Sequence, residues 1–187
     1  GGDALGQRFF GSAVSGSSAA GLNMTYATGY PMGQLVPDVC GTSLLWSSPY
    51  SNLFSWNQAA TLLAGCEFSA WTAIPGSSVL TPGRGYSGWM NDNSIVKVSG
   101  TPNTGNVSFA LSANNTSGNA VVDGWHLVSN PYPSPIAVNA LILSGLTSPT
   151  IYNGDAAYYG TFLPALIAGN VASMQGLFAK NTTGATS

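Results

Sequence analysis

Charged side chains are scarce in this sequence of 187 residues. Lysine, arginine, aspartate and glutamate together make up 5% of the chain, whereas ordinary soluble domains contain roughly 25%. His126 is the single histidine and Glu67 the single glutamate. The four basic residues are scattered rather than clustered, which argues against a nucleic-acid-binding surface. So few ionisable groups also leave little material for acid–base catalysis or a zinc site, and we expect no enzyme activity and no cofactor.

Long apolar runs are missing as well. The longest such stretch, IAVNALIL at 136–143, is interrupted by Asn139 and is much shorter than the roughly 18 residues of a membrane-spanning helix. The first residues, GGDALGQRFF, show no basic region followed by an apolar core, so we recognise no signal peptide. We therefore expect no membrane insertion, and we interpret the sequence as a mature chain or an excised piece.

Cysteine is limited to Cys40 and Cys66. An even count in a neutral, polar chain is typical of secreted proteins and predicts one disulfide, which closes a loop of about 25 residues and stabilises the fold by about 3 kcal/mol. The alternative is a pair of buried free thiols. The disulfide interpretation places the protein outside the cell or on its surface.

Turn-forming and β-branched residues dominate what is present. Alternating apolar and polar residues predict strands at 94–100 (SIVKVSG) and 107–112 (VSFALS), joined by a TPNTGN hairpin turn. Further strands are predicted in TIYNGDAAYYG at 150–160 and in SMQGLFAK at 173–180. The spacing of apolar residues in NLFSWNQAATLLAGC, at 52–66, suggests one helix. The pattern predicts an all-β fold, a β-sandwich or jelly-roll-like arrangement of Greek-key antiparallel sheets with at most one short helix.

The first residues look separate from the rest. GSAVSGSSAAG at 11–21 has the composition of a flexible linker, and LGQRFF precedes it as an isolated apolar segment. We therefore divide the chain into an N-terminal segment with its linker, 1–21, and one sandwich-like domain, 22–187.

Catalytic interpretations of the polar motifs are weak. His126 and Asp123 suggest a Ser-His-Asp set, but no G-x-S-x-G motif supplies a nucleophile. In GWHLV, Trp125 and Leu127 share one face of a strand, which places His126 on the opposite face as an ordinary strand residue. We therefore assign no catalytic residue.

Motifs for nucleotides and metals are equally weak. PGRGYSG contains G-x-G-x-x-G, but the following WMNDNS does not resemble a helix, so the glycines indicate a tight turn that leads into a strand. The oxygens of NDNS at 91–94 and of Asp155 suit calcium, yet such turn residues usually bond their own backbone. We assign no metal site.

Aromatic residues are plentiful, with five tryptophans and eight tyrosines. They suit either the packed interior of a sandwich or a platform on which a sugar ring stacks. Tyr158, Tyr159 and Trp89 are the candidate ligand-contact aromatics. The motif N-x-[ST], a potential glycosylation site, occurs at five asparagines: Asn23, Asn106, Asn114, Asn115 and Asn181.

Several segments resemble one known family of modules. GWHLVSNPYPSPI at 124–136 resembles the G-W-N-L-[IV]-x-N-P-Y-P-S-x-I segment of large secreted and surface proteins of Bacteroidetes. In the same order, WSSPYSN, LTPGRGY, VSGTPNTGNVSFAL and SMQGLFAK resemble further segments of that module, over about residues 42–181. The chain departs from the pattern at His126, where asparagine is common, and at Leu177, where phenylalanine is usual.

The resemblance implies a β-rich module in cargo of the type IX secretion system, often an adhesin or a long repetitive surface protein. The prolines remove backbone donors and end the preceding strand, so we interpret the motif as structural, with Trp125, Asn130, Pro131, Tyr132 and Pro133 as its residues. We expect partners among copies of the chain, other surface proteins or glycans. One alternative is a filament subunit in which residues 1–14 complete a neighbour's sheet, and another is a carbohydrate-binding module.

Overall fold

All secondary-structure elements within the described part of the chain are strands. The computed structural model describes residues 5–19, 53–58, 70–75, 77–91, 95–108, 111, 123–139, 146–153, 161–164 and 169–181. The strands are β1 (Leu5–Phe10), β2 (Val14–Ser15), β3 (Leu53–Trp56), β4 (Trp71–Ala73), β5 (Tyr86–Asn91), β6 (Thr101–Pro102), β7 (Trp125–Ser129), β8 (Ile136–Ala137), β9 (Leu146–Asn153), β10 (Thr161–Pro164), β11 (Asn170–Val171) and β12 (Gly176–Asn181).

The strands form two four-stranded sheets and two short two-stranded pairs. The first sheet has the order β1-β5-β3-β4 and the second the order β10-β9-β12-β7, while β11 pairs with β8 and β2 with β6. Every pairing is antiparallel. Pairs such as β1 with β5 are distant in sequence, which is the long-range connectivity of Greek-key folds. The prediction of an all-β, sandwich-like fold of antiparallel sheets is confirmed.

An aromatic core lies between the two large sheets. Phe9 from β1 packs there with Leu127 from β7 and Phe178 from β12, against three half-buried tryptophans, Trp56, Trp71 and Trp125. Successive strand residues point to opposite faces of a sheet. Phe10, next to Phe9, therefore lies in a cluster on the outer face of the first sheet. Leu177, next to Phe178, lies in another cluster on the outer face of the second sheet. Both large sheets are therefore covered by apolar side chains on each face.

The two sheets meet at one corner of the molecule. Phe10, at the end of β1, bridges to Gln175, and Arg84, just before β5, bridges to Val128 in β7. The amide of Gly85 donates to the Leu127 carbonyl over 2.9 Å, and the amide of Ser129 donates to the Gly83 carbonyl over 2.8 Å. The corner therefore joins both sheets through main-chain hydrogen bonds.

Glycines make this close approach possible. A Cβ on Gly85 would lie 2.6 Å from Leu127 Cγ, and one on Gly176 would lie 2.7 Å from the Phe9 carbonyl carbon. A Cβ on Gly11 would lie 2.9 Å from the Arg84 carbonyl oxygen and would overlap the Ser129 side chain. Real Cβ atoms do not approach other heavy atoms so closely, so each position needs a bare Cα.

The P-G-R-G segment behaves as the glycine pattern predicts. The Arg84 amide donates to the Thr81 carbonyl over 3.1 Å, and Gly83 has a φ of 83°. Pro82 and Gly83 thus occupy the two central positions of a type II turn, for which they are the favoured residues. Strand β5 begins directly after it, at Tyr86. Of the strand predicted at 150–160, residues 150–153 belong to β9, and the rest lies outside the described residues. The strand predicted at 173–180 is present from Gly176 onward, as β12.

The helix suggested for 52–66 is wrong where the structure describes it. Leu53–Trp56 forms β3, with Leu53 and Ser55 buried and Phe54 and Trp56 half-buried. Leu53 and Ser55 share one face, and Phe54 and Trp56 share the other, so burial follows a period of two. Pairing with both β4 and β5 overrides the local helical pattern.

The linker assigned to 11–21 is also wrong over its described part, 11–19. Gly11, Ser12 and Ala13 are buried, β2 pairs with β6, and Ser18 bridges to Val79. Small residues are present here because the segment packs against neighbouring backbone, and composition alone does not distinguish this from flexibility. The boundary predicted at residue 21 therefore separates β1 and β2 from strands with which they pair.

The hairpin predicted across TPNTGN is wrong over its described residues, 95–108 and 111. Thr101–Pro102 pairs with β2 instead, and residues 95–99 and 107–108 belong to no strand. Val96 and Val98 nevertheless pack against the outer cluster of the first sheet. The alternation in SIVKVSG therefore reflects alternating burial of side chains and not the pairing of a β-strand.

Replacing Gly85 with alanine tests the close approach at the corner. We expect Gly85→Ala to lower the free energy of unfolding by about 1–3 kcal/mol, because the new methyl group clashes with Leu127 and Val128. Urea titration followed by tryptophan fluorescence measures this loss. In the control variant, Gly16→Ala, the methyl group meets open space at a φ of 83°, so only a backbone cost of about 1 kcal/mol is expected. Equal losses in the two variants would contradict the steric account.

Candidate functional site

The turn that follows β7 is organised by a fully buried amide. Asn130 has an exposed fraction of 0%. Its Nδ2 donates to the carbonyl of Ser134 over 2.7 Å and to the carbonyls of Val171 and Ala172, each over 3.1 Å. One side chain thus joins the proline-rich turn to the segment that precedes β12.

The remaining polar groups of Asn130 are also used. Its Oδ1 accepts from the backbone amide of Tyr132 over 2.9 Å, which is the hydrogen bond of an Asx-turn. The backbone amide of Asn130 donates to the Gln175 carbonyl over 3.1 Å. Pro131 and Pro133 carry no amide hydrogen and do not extend the ladder. Strand β7 therefore ends at Ser129, as the sequence predicts.

Tyr132 connects this turn to a second loop. Its hydroxyl donates to the Gly105 carbonyl over 2.6 Å and accepts from the Val107 amide over 3.1 Å. Its carbonyl accepts from Ser173 Oγ over 2.8 Å. The hydroxyl of Tyr132 therefore holds the 105–107 loop, and its backbone carbonyl holds the segment before β12.

Asn103, in the same loop that Tyr132 holds, forms a hydrogen bond back to the proline-rich turn. Its Nδ2 donates to the Pro131 carbonyl over 2.8 Å and to the Ser12 carbonyl over 3.4 Å. Its Oδ1 accepts from Ser15 Oγ over 2.6 Å, and its amide donates to the Ala13 carbonyl over 3.0 Å. Asn103 thereby ties the N-terminal segment to the proline-rich turn, a role that a hairpin-turn interpretation of TPNTGN misses.

The residues at the start of the motif have packing roles. Trp125 is half-buried, and its carbonyl accepts from Trp56 Nε1 over 3.0 Å. Lys180 Nζ lies 5.9 Å from the centroid of the Trp125 ring, within cation–π range. His126 is half-buried opposite Ala179 in β12. It therefore alternates with Trp125 and Leu127 along β7, as the strand interpretation predicts.

Trp56, Trp71 and Trp125 act as core residues. The Trp56 ring lies 4.9 Å from Trp71 and 5.1 Å from Phe178, and both pairs meet nearly edge to face. Phe9 also lies 5.4 Å from Phe178. This geometry is the favourable one for aromatic pairs and supports the core alternative for these side chains.

Several predicted residues cannot be placed in this way. Cys40, Cys66, Tyr158 and Tyr159 lie outside the described residues, as do Trp46, Asp155 and positions 92–94 of the calcium candidate. Trp89 belongs to β5, where its backbone is opposite Gln7. Among the residues that the structure does describe, no group of three metal-binding side chains comes together, and no helix is long and apolar enough to cross a membrane.

An open groove lies beside the loop that Tyr132 holds. Its volume is about 470 Å³, and none of its lining residues is charged. Four exposed hydroxyl residues and the exposed Asn106 line it, together with the buried Asn103, the half-buried Val107 and two prolines. The full lining is Ser15, Thr81, Pro82, Pro102, Asn103, Thr104, Asn106, Val107 and Ser108. Sequence reasoning missed this groove because its walls come from distant parts of the chain.

Two of the N-x-[ST] asparagines can be compared in the structure. Asn106 is exposed at the groove. Asn181 is buried, and its Nδ2 donates to the Leu111 carbonyl over 3.3 Å. The amide of Asn181 is therefore a structural group in the folded chain, whereas that of Asn106 faces solvent.

Replacing Asn130 tests the structural role of the motif. We expect Asn130→Ala to lower the free energy of unfolding by about 3 kcal/mol, because it removes three hydrogen bonds from a fully buried side chain and takes the donor away from the buried Val171 carbonyl. Thermal and urea unfolding measure the loss, with Asn170→Ala, at an exposed position in β11, as the matched control. An unchanged midpoint in Asn130→Ala would show that the hydrogen bonds around this amide do not support the fold.

Comparison with known proteins gives one match. A family model described as a domain of unknown function (DUF8693) matches residues 39–183. No curated protein and no solved structure matches the chain. The matched span contains β3 to β12, the proline-rich turn and the loop that Tyr132 holds, whereas β1 and β2 precede it. Because this span is most of the sequence, the chain belongs to the DUF8693 family of domains of unknown function.

Proposed function

We propose that this chain is a non-enzymatic structural or adhesive module of a secreted bacterial surface protein. The observation that carries the proposal is the use of the motif side chains. Asn130 and Tyr132 use their polar groups on backbone atoms of the proline-rich turn itself and of two other segments, the one before β12 and the 103–108 loop. Side chains committed in this way serve to rigidify a module and leave no free group for chemistry on a substrate.

Composition supports an extracellular setting. With 5% charged residues the chain offers few sites for trypsin-like proteases, and its formal net charge of −2 gives little repulsion between neighbouring molecules. The resemblance of GWHLVSNPYPSPI to a recurring segment of type IX secretion cargo supports the same setting. A disulfide between Cys40 and Cys66 is part of this proposal, because such bonds persist in oxidising compartments.

A carbohydrate-binding module is the second candidate, and the groove favours it. Thr104, Asn106 and Ser108 project exposed polar side chains along one wall, and the lining has no charge. A neutral, hydroxyl-rich ligand such as an oligosaccharide matches that lining. Tyr132 fixes this wall in advance, which lowers the entropy cost of binding.

A filament subunit is the third candidate. Among the described strands, β1 lies at the edge of the first sheet. This position favours the filament candidate, because an edge strand is the element that β-sheet proteins exchange or add. The partner is then a second copy of the chain.

Fractionation of the source bacterium tests the leading proposal. We expect antibodies to the chain to label intact cells or to detect it in the medium, and alkylation before reduction to modify neither Cys40 nor Cys66, because the two are paired. Mass spectrometry of the trapped protein reads the thiols. Recovery from the cytosol with both cysteines alkylated would contradict the proposal.

Titration with neutral oligosaccharides tests the groove. If the carbohydrate candidate is correct, a panel of neutral glycans contains a ligand whose Kd rises about tenfold or more in a Thr104→Ala, Asn106→Ala, Ser108→Ala variant, because shared polar contacts are lost. The control variant is Ser99→Ala, at an exposed position outside the groove. Absence of binding across the panel, or equal binding by both variants, would rule out the groove as a sugar site.

A further inference from the structure

The first two strands lie outside the family match but pair with residues inside it. The family model begins at residue 39, whereas β1 and β2 occupy 5–15. All their pairings in the described part of the chain are with matched residues: β1 with β5, Phe10 with Gln175, and β2 with β6. Strands β1 and β2 thus add to the sheets of the matched domain, 39–183, although they lie outside that range.

The added segment fills the interior on both faces of the first sheet. Phe9 is 9% exposed and packs in the aromatic core, whereas Phe10 is 6% exposed and packs with Leu53, Leu80 and Tyr86 on the outer face. Docking of the segment therefore removes two phenylalanine side chains from water, which is the favourable term that holds it in place. Without this segment, the domain leaves an apolar slot along β5.

The slot is shaped for the backbone of this segment. Gly176 presents a bare Cα to the main chain of Phe9 and Phe10, since a Cβ there would lie 2.7 Å and 2.8 Å from their carbonyl carbon and amide nitrogen. Next along the segment, Gly11 lies against Ser129, and its amide donates to the Met174 carbonyl over 2.8 Å. The slot therefore accepts an extended strand in which two aromatic residues are followed by glycine.

We propose that the DUF8693 domain is an acceptor for an extended strand supplied from outside it, and that residues 5–15 of one copy of this chain fill the acceptor of a second copy. Exchange of an identical strand keeps every contact of the described arrangement, so it costs no packing energy. The formal net charge of −2 opposes association only weakly. Main-chain pairing along an edge is the established mode of such strand addition.

This inference specifies the filament candidate and is independent of the adhesive and sugar-binding candidates. If strand exchange fails, the chain remains a module whose own N-terminal segment completes it. Fractionation and glycan titration still test the other proposals, so the two kinds of failure are distinguishable.

Disulfide trapping between two differently labelled copies tests the exchange. Ser15 and Thr101 are direct partners in the β2–β6 pair, and both are exposed. Chains carrying Ser15→Cys and chains carrying Thr101→Cys, each with Cys40→Ser and Cys66→Ser, are unfolded together and refolded at high protein concentration. We expect a covalent heterodimer on a non-reducing gel after mild oxidation.

Matched controls separate exchange from random collision. A mixture of Ser15→Cys with Thr72→Cys, which is exposed on β4 at the opposite edge of the sheet, measures collisional cross-linking. We expect the Ser15→Cys and Thr101→Cys mixture to exceed that background about tenfold or more, because docking raises the local thiol concentration. In the double variant Ser15→Cys, Thr101→Cys, a disulfide that forms within one monomer shows that β2 pairs with β6 of the same chain.

The outcomes divide cleanly. A heterodimer above the collisional background supports exchange between copies. Closure of the double variant within one chain, combined with no heterodimer above background in the mixture, overturns it. Should the double serine background fail to fold, a photo-crosslinking residue at position 15 in chains with native cysteines, mixed with isotope-labelled chains, gives the same reading by mass spectrometry. Cross-links confined to unlabelled peptides then overturn the proposal.

Discussion

The close crossing of the two sheets at one corner determines how the other elements pack. At this corner, Gly11, Gly85 and Gly176 bring main chain against main chain or against a buried side chain, at separations that no other residue permits. At this short separation, backbone amides form hydrogen bonds across the corner, as the Gly85 amide does to the Leu127 carbonyl. Once the two sheets are joined here, the aromatic core between them and the apolar clusters on their outer faces follow from the alternation of side chains along each strand.

The proline-rich turn depends on the same corner. Ser129, the last residue of β7, contacts both Gly11 and the turn before β5, and Asn130 follows directly. From there Asn130, Tyr132 and Asn103 carry hydrogen bonds to the segment before β12, to the 103–108 loop and to the N-terminal segment. Asn130 and Tyr132 thus fix two distant segments, one of which forms a wall of the neutral groove. Asn103 ties that wall in turn to the N-terminal segment. This arrangement suits a module whose surface must keep its shape without a large charge network.

Local patterns predicted the elements that local physics determines. The turn at Pro82–Gly83, the end of β7 before Pro131 and the strand at Gly176–Asn181 were readable from the chain because φ restrictions and period-two alternation act within a few residues. The apolar spacing around Leu53 misled, since pairing with β4 and β5 decided that segment. Composition also failed at 11–19, where small residues serve close packing instead of flexibility. The groove and the role of Asn103 arise from segments far apart in sequence, so no local signal pointed to them.

The strand at Leu5–Phe10 is an integral part of a domain whose family match begins only at residue 39. Native-state hydrogen exchange of the full chain measures how strongly this strand is coupled to the rest. We expect the amides of β1 and β12 to exchange through one common opening with the same free energy, because both strands share the corner and the aromatic core. Fast exchange in β1, with β7 and β12 still protected, would contradict it and would show that the N-terminal strand is a detachable addition to a domain that is stable alone.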